Sequence, residues 1–214
     1  MHFLITAGPT REPLDPVRYL SNRSSGKMGY AIAAAAAAAG HEVTLISGPA
    51  GLAAPAGLEM VRVTTAQEMY EAVQKVLPSV QVAVFAAAVA DYRPVLAAGQ
   101  KIKKHETTMT ITLERTRDIL GSARVAGFRG LLVGFAAETE NLEANAKGKL
   151  HRKGCDLLVA NDVSGSETGF DTDENEITLF FANEEARALP RAGKDVLAQI
   201  IVGVCGDLMV TSRT

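Results

Sequence analysis

Tryptophan is absent from the 214-residue chain, and aromatic residues make up only 5% of it. That scarcity argues against a surface built to stack nucleic-acid bases. There is no basic surplus either: 22 lysines and arginines face 24 acidic residues, for a formal net charge of −2. General affinity for nucleic acid or for an anionic membrane is disfavoured on that balance, so any anion binding must come from local clusters. Only two cysteines occur, Cys155 and Cys205, far apart and each in an apolar setting. They read as buried reduced thiols of a cytosolic protein, not as a disulfide framework. The longest apolar run, Ala31 to Ala39, falls far short of the ~20 residues that span a bilayer. The opening "MHFLITAGPT" lacks the basic leader and long apolar centre of a signal peptide. The expectation is a soluble, cytoplasmic protein with no nucleic-acid and no membrane partner. His2, His41, His105 and His151 have no cysteine or carboxylate companions at ligand spacing, so no metal-ligating residues are assigned. Ser24 and Ser25 stand outside any nucleophile elbow, and no Ser/His/Asp arrangement is visible.

What is present is an ordinary globular balance, 47% hydrophobic and 21% charged, in a chain long enough to bury a substantial core. Apolar runs at 2–7, 42–47, 58–63, 80–88, 130–138, 155–162 and 176–182 read as strands, and so does the more polar 109–114. Helical patterns cover about 25–39, the stretch after Thr65, 118–125, 139–154 and 193–209. Residues 10–25, with two prolines and many polar side chains, read as a long loop. Strands alternating with helices predict an α/β fold of three layers, Rossmann-like, around a mostly parallel sheet. The strand at 109–114 breaks the rhythm, so residues 94–114 are expected to form a protruding arm or flap on one domain spanning 1–214.

The stretch "YLSNRSSGKMGYAIAAAAAAAG", Tyr19 to Gly40, turns from glycine-punctuated and polar to almost pure alanine. Ser24 or Ser25 is the expected N-cap. Alanine favours helix and permits close approach to a sheet, which would bring a positive helix end over the strand ends. Read as a dinucleotide fingerprint the segment fails, because Gly26 lies eighteen residues beyond Gly8 and the second strand ends "LISGP" without an acidic residue. As a phosphate-binding P-loop it fails too, since position 21 is serine and Lys27 is followed by Met28. Phosphate binding and plain helix packing both remain open on spacing alone. Two lysine clusters bear on the choice: "KIKKH" (101–105), and "KGKLHRK" (147–153), where Lys149 and Lys153 share a helix face. Each is a solvated face or an anion site. Asp91 and the pair Asn161 and Asp162 follow predicted strands, where open α/β sheets carry functional groups, although an aspartate there also serves as a turn or cap.

The segments "ITAGPTREPLDPVRYLSNRSSGKMGYAIA", "AAAVADYRP" followed by "KIKK", "GFAAET" and "KLHRKGCDLLVANDV" together resemble phosphopantothenoylcysteine synthetase, over about residues 3–205 and in the family's order. They are similar to the bacterial CTP-dependent form, often the C-terminal half of a bifunctional coenzyme A biosynthesis protein. The resemblance implies a ligase acting in two steps. The carboxylate of 4′-phosphopantothenate attacks the α-phosphate of CTP, giving an acyl-cytidylate and pyrophosphate. The amine of cysteine then displaces CMP. It further implies a homodimer, Mg²⁺ accompanying CTP, and no flavin in this chain.

Position by position, the resemblance implies that Asn22 handles the acyl-cytidylate and that Lys101 is a catalytic flap lysine closing over the triphosphate and carboxylate. Arg18 would meet phosphopantothenate across the dimer interface. Gly8, Ser24, Gly26 and Gly29 would surround the nucleotide at the first helix. Ala86, Ala87, Ala88 and Asp91 would read nucleotide or substrate. Phe135, Lys149, Lys153 and Asn161 would complete the nucleotide pocket with Asp118 and Ile119. The chain departs from the family at "TRDI", Thr116 to Ile119, where Asn-Pro-Asp-Ile is usual; the lost proline puts that turn in question. Two other classes compete: a nicotinamide oxidoreductase, against which stand the missing acidic ribose reader and missing Tyr-x-x-x-Lys pair, and a non-catalytic nucleotide-binding module, against which stand Asn22 and Lys101.

Overall fold

A computed structural model of the chain describes residues 1–103, 107–138, 140–162 and 172–211. The chain opens with β1 (His2–Ala7), the short strands β2 (Arg11–Pro13) and β3 (Tyr19–Ser21), helix α1 (Lys27–Ala38), then β4 (Glu42–Ser47) and β5 (Glu59–Arg62). Helix α2 (Ala66–Val76) leads to β6 (Val82–Phe85), β7 (Tyr92–Pro94), β8 (Leu113–Arg115) and α3 (Ile119–Val125). The remainder is β9 (Leu131–Glu138), α4 (Leu142–Lys153), β10 (Leu157–Asp162), β11 (Glu174–Phe181), β12 (Ala186–Gly193) and α5 (Lys194–Thr211).

An eight-stranded sheet runs in the order β12-β11-β10-β9-β6-β1-β4-β5. The six strands from β10 to β5 pair in parallel, while β11 and β12 add an antiparallel edge. From β1 the chain builds outward to β4 and β5, then returns to β6 on the other side of β1. That reversal opens a crevice beyond the C-terminal ends of β1 and β6.

Because side chains alternate along a strand, β1 feeds both faces of the sheet. Phe3, Ile5 and Ala7 join the core under α1 and α5, and Leu4 joins the core under α2, α3 and α4. On α1 the buried residues Gly29, Tyr30, Ile32, Ala33 and Ala36 recur at helical spacing. A methyl group placed on Gly29 would lie 2.6 Å from the Ala7 Cβ, so the absence of a side chain there sets how closely α1 seats on β1. Helix α2 starts with a capping box between Thr65 and Glu68; Met69 and Val73 are fully buried.

Four expectations are corrected. The stretch 10–25 contains the β2–β3 hairpin, held by the Arg11 N–H on Thr64 O (2.8 Å) and by the buried Glu12 carboxylate on the Ala66 N–H (2.8 Å). Helix α1 begins at Lys27 with Gly26 as N-cap in the left-handed region (φ 78°), not with a serine cap. The strand expected at 109–114 shrinks to Leu113–Arg115, which pairs with Tyr92–Pro94 to form the root of the arm. Strand β12 was not expected at all. Lys104 and His105 of the lysine-rich loop lie outside the described residues.

Candidate active site

The crevice is shaped first by backbone. Thr6 at the end of β1 accepts the Ala86 N–H through its carbonyl (3.2 Å) and the Ala87 N–H through its hydroxyl (3.3 Å). Gly8 O accepts the Ala88 N–H at 3.0 Å, and Thr10 Oγ1 accepts the Ala90 N–H at 2.9 Å. The segment 86–90 therefore continues past β6 as a rail of small residues laid along the switch point. Gly8 and Gly26 both have positive φ, 72° and 78°, and a side chain on Gly26 would sit 3.2 Å from the Gly8 Cα. Gly8 lies directly behind Gly26 and does not line the crevice.

Two cavities of about 480 and 510 Å³ occupy this region. Each is in the ~300–1,000 Å³ range of small-molecule sites. The first is walled by Asn22, Ser24, Gly26, Gly29, Ala86, Ala88 and Asn161. The second is walled by Asp118, Ile119 and Lys153, with Thr6, Arg115 and Arg117. Both are lined by Ala87, Val89, Asp91, Phe135 and Lys149, so the cavities adjoin across that wall. Residues from Thr6 to Lys194 converge on the two cavities.

The lysines of α4 in the crevice are partnered. Lys149 of α4 donates to Phe135 O at 2.6 Å. Burial pushes its pKa below that of an ordinary lysine, with Glu138 pulling the other way. A half-desolvated ammonium gains when an anion arrives. One turn later Lys153 pairs with Asp118. Burial raises the Asp118 pKa, but the Lys153 hydrogen bond and the Gly121 N–H outweigh it, and the net shift is downward. Asp118 also caps α3 by accepting the Gly121 N–H at 2.9 Å. The turn before it holds without a proline: Thr116 donates its hydroxyl to Ala90 O (2.6 Å) and its N–H to Asp91 O (2.9 Å).

Among the expected site residues, Gly8, Arg18 and Lys101 line neither cavity. Arg18 is bound to Asp15 and to Ile102 O, and Lys101 is exposed on the arm. Among the cavity residues that sequence reading did not assign to the site are Lys27, Asn175 and Lys194 in the first cavity and Arg115 and Arg117 in the second. Lys27 pairs with Asp173 at 2.7 Å, and the buried Lys194 donates to Thr172 O at 2.6 Å. Lys27 stood inside the glycine-rich motif and offered a signal; Lys194 opened what read as a scaffold helix and offered none.

The sheet order and the double cavity at its switch point, lined by Lys27, Arg115, Arg117, Lys149, Lys153 and Lys194, define an α/β protein with a cationic crevice. The family described as the DNA/pantothenate metabolism flavoprotein C-terminal domain matches residues 1–207, and the chain belongs to it. The coenzyme A biosynthesis bifunctional protein CoaBC of Vibrio cholerae is 48% identical over 209 residues, which are 96% of this chain and 52% of that protein. Its counterpart in Bacillus subtilis is 46% identical over 202 residues, 94% of this chain and 50% of that protein. The chain thus spans about half the length of the curated relatives it matches. A crystal structure of the C-terminal domain of a CoaBC protein superposes with a TM-score of 0.84 at 41% identity, covering 98% of this chain and 96% of that one.

Proposed function

We propose that this chain is a phosphopantothenate–cysteine ligase of coenzyme A biosynthesis, using CTP to activate 4′-phosphopantothenate before amide formation with L-cysteine. The carrying observation is the pair of cavities that share Ala87, Val89, Asp91, Phe135 and Lys149. Two anionic substrates in adjoining sites meet at one wall. Their mutual repulsion falls against the ammonium groups there, and the enzyme's main contribution is alignment and charge compensation.

In this reading the CTP nucleoside occupies the cavity of Asp118, Ile119 and Lys153, its phosphates extend across the shared wall toward Ser24, Gly26 and Gly29, and the phosphopantothenate carboxylate meets them beside Asn22. In the first step a carboxylate oxygen bonds to the α-phosphorus, and the bond to the pyrophosphate oxygen breaks with its electron pair. In the second, the cysteine nitrogen bonds to the acyl carbon, CMP departs, and the nitrogen loses a proton. Lys149 and Lys153 balance the phosphates, Lys101 closes over them, and Asn22 holds the acyl-cytidylate. Lysines that move with substrate suit this work, since no protein nucleophile is needed.

Mg²⁺ enters as the CTP chelate. Asp91 is the carboxylate on the shared wall that would meet it beside the phosphates. The enzyme acts as a homodimer through the hairpin and arm, where Val17, Tyr19, Tyr92, Val95 and Leu96 expose apolar surface, Leu96 at 85%. Arg18 on that hairpin is then positioned to serve a neighbouring subunit. A cytoplasmic location agrees with two buried free cysteines. No described helix is long and apolar enough to cross a membrane. A nicotinamide reading finds no acidic side chain at the tip of β4, which ends at Ser47. The test is mass-spectrometric detection of 4′-phosphopantothenoylcysteine from purified protein, Mg²⁺, CTP, 4′-phosphopantothenate and cysteine; its absence overturns the ligase assignment.

A further inference from the structure

The β2–β3 hairpin leads directly into Asn22 and carries Arg18 in its turn. The arm that leaves β7 carries Lys101. One buried carboxylate joins the two. The Asp15 side chain has 0% exposure, and its two oxygens do different work. Oδ1 accepts the N–H groups of Val17 (2.8 Å) and Arg18 (2.9 Å), closing the turn on itself. Oδ2 accepts Nε (3.0 Å) and Nη2 (2.5 Å) of Arg18, and also the N–H of Ile102 at 3.1 Å. Ile102 is the residue after Lys101. Its carbonyl in turn accepts from Arg18 Nη2 at 2.9 Å, so both polar groups of one flap residue are held by the Asp15–Arg18 pair. A second backbone tie runs from the Ala98 N–H to Leu14 O, at 2.9 Å.

We infer that Asp15 is a positioning residue that latches the flap to the hairpin, so that the flap segment bearing Lys101 is held beside the hairpin that leads into Asn22. A long connection samples many conformations, and closing it costs entropy that grows with its length. Charge-assisted hydrogen bonds to a desolvated carboxylate offset that cost at the point where the catalytic lysine leaves the arm. Asp15 lines neither cavity, so it acts through the residues it holds. The latch itself follows from geometry; its effect on rate rests on the ligase reading above.

The isosteric variant Asp15→Asn separates the two roles. Its amide oxygen keeps the Val17 and Arg18 N–H bonds of the turn, but its NH₂ faces the guanidinium and the Ile102 N–H, donor against donor. Hydrogen–deuterium exchange of the full-length protein reads the latch directly. In Asp15→Asn, protection at Ile102 is expected to fall about tenfold or more, as for loss of one charge-assisted hydrogen bond, while the amides of β1 and β9 keep theirs. Unchanged protection at Ile102 overturns the proposal.

Pyrophosphate release reads the consequence. Asp15→Asn is expected to slow the first step by about 100-fold, the scale of a misplaced catalytic group, and Asp15→Asn/Lys101→Gln should be no slower than Lys101→Gln alone. Losses that multiply would mean that Asp15 does not act through Lys101. If Asp15→Asn does not fold, Ile102→Pro removes the flap donor without touching the hairpin turn; a wild-type rate in that variant likewise refutes the latch. Wild-type protein that releases no pyrophosphate would refute the ligase reading, while the exchange data still decide the latch.

Discussion

The side-chain amide of Asn22 donates to the backbone carbonyl of Val89 at 3.0 Å, across 67 positions of sequence. It ties the segment before α1 to the loop after β6. Val89 belongs to the wall shared by both cavities, so this bond fixes an amide where the two substrates are proposed to meet.

Replacing Asn22 with Asp keeps the size but removes the donor to Val89 and adds a negative charge beside an anionic intermediate. The first step should survive, since the cations of the second cavity are untouched, whereas amide formation should stall. Acyl-cytidylate is expected to accumulate in a quenched reaction analysed by mass spectrometry. Normal amide formation in Asn22→Asp removes the role given to this residue.

Lys101 is exposed on the arm, so its loss should cost activity and not stability. Lys101→Gln is expected to slow CTP-dependent pyrophosphate release about 100-fold or more, to a rate still measurable, with a thermal midpoint within a few degrees of wild type, since exposed substitutions usually cost less than about 0.5 kcal/mol. A large fall in the midpoint would make this lysine structural.

At Gly29 the expected nucleotide contact has a second, packing role. In Gly29→Ala the new methyl would lie 2.6 Å from the Ala7 Cβ and 3.1 Å from the Thr6 carbonyl. Overpacking of this kind costs about 1–3 kcal/mol, against a gain of about 1 kcal/mol in helix propensity. A net loss is expected, measured as a lower urea midpoint. A stabilised variant would show that α1 can slide on β1.

Acid should weaken the second cavity before it unfolds the core. The folded-state pKa of Asp118 lies below its ordinary 3.8, so its contribution is complete above that value and is lost as the pH falls through the lowered one. Asp118→Asn keeps an N-cap for α3 but removes the charge facing Lys153. Because this ion pair is partly exposed, the variant should lose no more than about 1 kcal/mol at neutral pH. Its stability should also change less than wild type below pH 4, as followed by denaturant titration. An identical pH profile in the two proteins would contradict the pairing.

The parallel core was legible because β1, β4, β6, β9 and β10 are apolar runs bounded by turn residues, the pattern of strands buried on both faces. The hairpin at Arg11–Ser21 was not. Its strands are three residues each, Pro13 and Pro16 interrupt the local signal, and the contacts that hold it come from α2 and the residues before it. Strand β12 carries Pro190 in a polar segment, tolerable only because it forms the sheet edge. At the site, spacing left the glycines open between phosphate binding and helix packing, and the lysine pair of α4 open between an anion site and a solvated face; the resemblance alone assigned their roles. The partnership of Asp15 with Ile102 was not, because a tertiary contact between an aspartate in a loop and a backbone N–H 87 residues away leaves no periodic trace.

The central claim is that the shared wall around Lys149 and Asp91 joins a nucleotide site to an acid site. It is tested most directly by measuring pyrophosphate release from Mg²⁺, CTP and 4′-phosphopantothenate, first without and then with cysteine. Release that requires both substrates, proceeds to the acyl-cytidylate without cysteine, and turns over on adding it is the predicted result. No CTP-dependent pyrophosphate with authentic substrates, under conditions where a known ligase of this type is active, would contradict the account.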